Sequence, residues 1–149
     1  MKPISCPECG APLPEGGECR DHFHALLVLE SHIPDAPGGV PHFYAVACYA
    51  LQHPDSMGYT AEALGNLRTS LGEVLDGLPL ADLRRRTRRA VNGPTRVQRR
   101  PGEALFPWKR GGWPMTVADV CAVAPEDYVE QVAAWARSVR AALEAHERA

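Results

Sequence analysis

Apolar positions recur every three or four residues along most of this chain, and alternation with a period of two is nowhere sustained. That spacing lines one face of a helix and predicts a mainly α fold. The first stretch begins near Cys19 or Arg20. Phe23, Leu26, Leu27 and Ile33 share a face, which Glu30 interrupts, and Pro34 to Gly39 break the helix. A second helix opens at Val40-Pro41, with proline suited to a first turn, and runs to about His53, where Pro54 ends it. Its apolar stripe is Tyr44, Ala47, Cys48 and Leu51.

A third helix fits Thr60 to Asp76, with Thr60 as N-cap and Gly77 as stop; Leu64, Leu67, Leu71, Val74 and Leu75 make its inner face. A fourth fits Pro79 to about Val91, ended by Asn92-Gly93. Residues 93–114 hold four prolines and four glycines and read as an ordered or semi-ordered loop. Thr116 to Asp119 resembles a capping signal for a short helix. The last helix starts at Pro125, and Tyr128, Val132, Trp135, Val139 and Leu143 form its stripe. Residues 1–18 show no period, are rich in Cys, Pro and Gly, and need a staple to pack; short strands are admissible there.

The expected architecture is a small helical bundle with an N-terminal zinc knuckle. It forms a single domain over 1–149, divided into the knuckle (1–18), four helices (19–92), a basic Pro/Gly-rich loop (93–115) and the C-terminal helices (116–149). Apolar residues make up 45% of the chain, and no apolar run reaches the roughly 20 residues that span a bilayer. No apolar stretch follows Met-Lys-Pro-Ile-Ser-Cys, so no signal peptide is read there, and the cytoplasm is the expected compartment with no membrane partner.

Charge changes the picture at one place. The net charge is −2, yet the segment from Arg84 to Arg110 carries ten basic residues and one acid, Glu103; its +9 leaves −11 on the rest. Such a segment suits an anionic partner, or nucleic acid given Phe106, Trp108 and Trp113 among the arginines. It suits the chain's own acidic helices equally well.

Five cysteines without a secretion signal argue against a disulfide framework. Cys48 and Cys121 sit among Ala and Val and read as buried small hydrophobes. The other three cluster. Cys6-Pro7-Glu8-Cys9-Gly10 is a CxxC turn whose two thiolates can reach one tetrahedral ion, and Cys19 follows at the start of a helix. Three thiols and one histidine would close a tetrahedral site around a single structural Zn2+.

Two histidines compete for the fourth place. His22 lies one helical turn from Cys19. His53 ends the second helix, and a short breaker makes the first two helices antiparallel. Cys19 and His53 then each lie about 20 Å from the connecting end, side by side. His42 falls at the opposite end, and His24 and His32 read as solvated.

CPxCG, a lone Cys before a Leu-Leu-rich helix, and a His followed by Tyr-Ala-x-Gln-His-Pro together resemble an uncharacterised bacterial family of unknown function. The matching residues are Cys6, Cys9, Gly10, Cys19, His42, Tyr49, Ala50, Gln52, His53 and Pro54. The helix from Tyr128 to Trp135 resembles that family's ending. The chain departs from the family where Asp is usual, at Ala47, and where His is usual, near Gly65 or Asn66; both departures weaken a shared polar active site. The family pattern does not require a His at position 22, so the resemblance favours His53 as ligand. It implies no activity.

Three functional classes remain. The first is a zinc-stabilised binding or regulatory module. The second is a metal-assisted or His-dependent enzyme using His42 and His53, with Tyr49, Gln52 and Asp55 nearby. The third is a nucleic-acid binder through Arg84–Arg110. The Trp135 helix suits either its own core or a homodimer interface.

Overall fold

A computed structural model of the chain describes residues 4–15, 17–91, 96–104 and 106–148, the side chains of residues 89–91 aside. Six α-helices make up most of it: α1 (Cys19–Ser31), α2 (Val40–Gln52), α3 (Pro54–Met57), α4 (Ala61–Leu75), α5 (Leu80–Val91) and α6 (Tyr128–Arg148). Two 3₁₀ turns, Val117–Asp119 and Pro125–Asp127, precede α6. The fold is mainly α, as the periodicity requires. Among the described residues, extended pairing is limited to two isolated bridges, Ser5 with Pro12 and Tyr59 with Gln98.

The centre of the bundle is α2. Every residue from Tyr44 to Gln52 except Val46 is buried, and a helix apolar on all sides is stable only when covered on all sides. Helices α4 and α6 pack on it and on each other, and α5 extends from α4. Helix α6 contributes Tyr128, Val132, Trp135, Ala136, Val139 and Leu143 to the interior, with Trp135 fully enclosed within its own chain. No helix among the described residues is long and apolar enough to cross a membrane.

Helices α1 and α2 run antiparallel and meet through large side chains. Near the connecting loop Glu30 bonds His42, and midway the rings of Phe23 and Tyr49 stack at 4.3 Å. At the far end Cys19 approaches His53.

Helix boundaries follow their chemical signals. The Thr60 hydroxyl accepts the Ala63 amide and caps α4. Asp119 accepts the Thr116 amide at 2.8 Å, closing the first 3₁₀ turn. Pro54 does more than stop α2: it sits at the first position of the single-turn helix α3, which ends on Gly58 at φ 68°, a left-handed conformation natural to glycine. The Asn92-Gly93 stop lies outside the described residues.

The Pro/Gly-rich loop is tied down. The Thr60 amide donates to Val97 and the Arg99 amide to Gly58, both at 2.8 Å. The Trp108 indole donates to the Leu51 carbonyl at 2.8 Å, satisfying one of the acceptors left open at the end of α2. Trp113 is buried, and the Arg99 guanidinium lies over the Phe106 ring. The aromatics of this segment therefore pack inward.

Candidate metal centre

The CxxC segment folds back on itself before it meets the helices. The Gly10 amide donates to the Cys6 carbonyl, and the Cys6 amide to the Ala11 carbonyl, both at 2.8 Å. The turn needs Gly10 at φ 84°, where a side chain would be strained. The Ala11 amide points at the Cys9 sulfur at 3.4 Å, a donor that favours a thiolate. Cys19 is the first residue of α1, where helix amides favour negative charge. His53 is the residue that caps α2.

The ligand atoms of Cys6, Cys9, Cys19 and His53 lie within 4.8 Å of one another, and together they can hold a metal ion. The Cys9 and Cys19 sulfurs are 3.5 Å apart. All four residues are enclosed, at 7, 1, 6 and 1% exposure in chain order. Burial is the main force raising the Cys6 thiol. The Cys9–Cys19 hydrogen bond dominates the other two and drives them apart, Cys9 downward and Cys19 upward.

The imidazole is aimed. His53 Nδ1 lies 2.7 Å from the Tyr49 carbonyl, an oxygen that can only accept, so Nδ1 carries the proton. In the neutral imidazole this leaves the Nε2 lone pair open. That nitrogen is buried and makes no hydrogen bond of good geometry, although the imidazole is near enough to Cys9 to help lower that thiol. Tyr49 stacks on the ring at 4.0 Å, completing a Phe23–Tyr49–His53 stack that fixes its plane.

His22 stands outside this group. Its Nε2 is 2.7 Å from the Pro12 carbonyl, and its Nδ1 is 3.6 Å from the Cys121 sulfur. Cys48 is fully buried as read from its neighbours, but Cys121 is not: it is half-buried against His22. It follows a 3₁₀ turn, Val117–Asp119, that puts Val117 into the core and also packs on α1, and this the local Ala/Val composition did not reveal. His24 and His32 are exposed.

Glu8, between the two cysteines of the turn, was not singled out from the sequence. It is buried, and its carboxylate accepts the amides of Asp55 (2.8 Å) and Ser56 (3.2 Å) and the Ser56 hydroxyl. It thus caps α3 directly after His53. Its own carbonyl accepts the Gly111 amide at 2.8 Å. Asp55 in turn binds Arg110 through both oxygens at 2.8 and 2.9 Å, and Arg99 lies 3.6 Å away. The bond from Arg110, more than any other force, holds the Asp55 carboxyl below its ordinary range.

The two histidines suggested for an enzyme do not converge. His42 Nδ1 bonds Glu30 at 2.6 Å at the opposite end of α2, and the other Glu30 oxygen accepts the Tyr128 hydroxyl at 2.6 Å. This triad explains the acid that interrupts the apolar face of α1. Gln52 donates to the Met115 carbonyl at 2.7 Å. Other basic residues also have internal partners: Arg86 pairs with Glu73, Arg96 with Glu103, Arg85 with Asp82, and Arg84 donates to the Gly38 carbonyl.

The chain matches a protein family over residues 4–144. That family is described as a family of unknown function (DUF5946), and the chain belongs to it. No curated protein and no solved structure shows a match.

Proposed function

We propose that this member of a family of unknown function is a non-catalytic binding or regulatory module, stabilised by one structural zinc ion on Cys6, Cys9, Cys19 and His53. The observation that carries the reading is the His53 Nε2 lone pair, buried without a well-formed hydrogen bond among three thiols. A buried acceptor without a well-formed hydrogen bond is costly, and a metal ion shared with the three sulfurs would satisfy it. Zinc–sulfur bonds of about 2.3 Å imply sulfur–sulfur edges of about 3.8 Å in a tetrahedron, so the 3.5 Å approach needs only a small adjustment.

Three cysteines and one histidine saturate a tetrahedral ion and leave no place for substrate or activated water, which supports a structural role. When bound, the ion would supply cross-links: it would pin the CxxC turn to the start of α1 and the end of α2. The Tyr49 carbonyl and Glu8 act around it, one orienting the imidazole and the other fastening the turn to α3. Thiolate ligands and five unpaired cysteines suit the reducing cytoplasm. We read Arg84–Arg110 as the bundle's own electrostatic partner rather than as a nucleic-acid surface, because acids of the same chain pair with Arg86, Arg96, Arg99 and Arg110.

The test is metal content of the purified protein by mass spectrometry. One zinc per chain is expected, lost in Cys9→Ser and in His53→Ala but kept in His22→Ala. Absence of metal, or metal indifferent to Cys9 and His53, overturns the reading.

A further inference from the structure

Cys121 and His22 lie 99 residues apart in sequence and form the one thiol–imidazole pair outside the metal centre among the described contacts. Three observations define it. The Cys121 sulfur is 3.6 Å from His22 Nδ1. The other ring nitrogen, Nε2, is 2.7 Å from the Pro12 carbonyl, so it donates, and in the neutral imidazole Nδ1 is left as the acceptor that faces the thiol. The thiol is half-buried, unlike Cys48, which is fully enclosed. A nucleophile, a base within reach and a third group that orients the base are the parts of an activated side chain.

We propose that Cys121 is a reactive thiol with His22 as its base, and that its reaction partners are small disulfides. The Cys121 sulfur attacks one sulfur of the disulfide, and a new S–S bond forms as the old one breaks. The thiol proton passes to His22 Nδ1 and then to the departing thiolate. The products are a mixed disulfide on Cys121 and one free small thiol, so electrons and protons balance without a further reagent.

Local surroundings explain why the base is needed. Burial holds the Cys121 thiol above its ordinary range, and Asp119 adds to the effect. The resting sulfur is therefore neutral, and a neutral thiol is a poor nucleophile unless its proton is removed during attack. Ala118 offers its carbonyl as a more distant acceptor at 3.8 Å, which cannot take a proton. Pro12 belongs to the CxxC segment, through its bridge to Ser5, so the metal-bearing turn positions the base without lending it a ligand.

The experiment uses the zinc-loaded full chain near neutral pH with one equivalent of dithiodipyridine, whose released thione is followed by absorbance. The modified cysteine is identified by peptide mass spectrometry, and zinc is measured on the same sample. The first equivalent is expected on Cys121 with zinc retained. Cys121→Ser should lose the fast phase. His22→Gln keeps a donor for the Pro12 carbonyl but has no base, and should slow the reaction at least about tenfold. Native Cys121 should also react faster than the same residue in the urea-unfolded chain, a comparison that needs no variant. First labelling at Cys6, Cys9, Cys19 or Cys48, or an unchanged rate in zinc-loaded His22→Gln, overturns the proposal. So does slower reaction in the native chain than in urea.

Discussion

Replacing His53 with alanine removes the proposed metal ligand, a ring stacked at 4.0 Å on Tyr49 and a hydrogen bond to the Tyr49 carbonyl. The last two can be valued without any metal. A stacked aromatic pair contributes about 0.5–1.5 kcal/mol and a neutral hydrogen bond a similar amount. Packing alone therefore predicts a loss of about 1–3 kcal/mol, whether or not zinc is bound. The ligand is different, because its effect exists only in the loaded state. If the change weakens zinc binding about a thousandfold, the loaded protein loses about 4 kcal/mol more through mass action. For a chain of this size that corresponds to about 10 °C in melting temperature beyond the packing loss.

The assay is thermal unfolding of native and His53→Ala protein, each with stoichiometric zinc and with excess chelator. The four melting temperatures form a cycle whose interaction energy isolates the metal bond. A gap between the two proteins that is large with zinc and small with chelator is expected. An equal gap in both conditions would show that His53 only packs, and would refute the ligand assignment.

Glu8→Ala should destabilise the protein by about 2–4 kcal/mol, because three donors at the start of α3 lose a charged acceptor, while zinc stoichiometry stays at one; urea unfolding and metal analysis check both parts. Tyr128→Phe should cost about 1.5–3 kcal/mol in the same urea assay, since it strips a 2.6 Å hydrogen bond from a buried Glu30 oxygen; an unchanged midpoint would contradict the triad. Asp55 supplies a pH dependence. Its carboxyl is lowered in the fold, so its stabilisation is fully present above its ordinary value of 3.8 and is lost as pH falls through the folded value. The stability difference between native protein and Asp55→Asn should be constant above about pH 5 and shrink below pH 4; a gap that widens in acid would reverse the sign.

Local signals carried much of this fold. Thr60, Pro41 and Pro125 mark helix starts through rules that act within one turn, and they stand where those rules place them. The meeting of Cys19 and His53 was also legible, because two helices of similar length joined by a short breaker bring their outer ends together. What escaped was held by contacts far apart in sequence. Glu8 looked like filler in a CxxC turn, and its partners lie 47 and 48 residues on. Glu30 looked like a flaw in an apolar face until Tyr128, 98 residues away, supplied its donor. Cys121 was misjudged because its neighbours in sequence are apolar, whereas its neighbour in space is His22. Helix α3 escaped because proline signals an end and a beginning with the same residue.

The order of the four donor residues along the chain also bears on biogenesis. During translation Cys6, Cys9 and Cys19 are made before His53, and the imidazole reaches them only after α1 and α2 have paired. A nascent chain therefore offers an exposed three-thiol chelate before it can offer a closed one. Soft metal ions scarcer than zinc, and oxidants, compete for those sulfurs most effectively in that interval. Closure of the helical hairpin ends the exposure, so under the proposed zinc reading the speed of a local folding step would set how faithfully the metal is acquired.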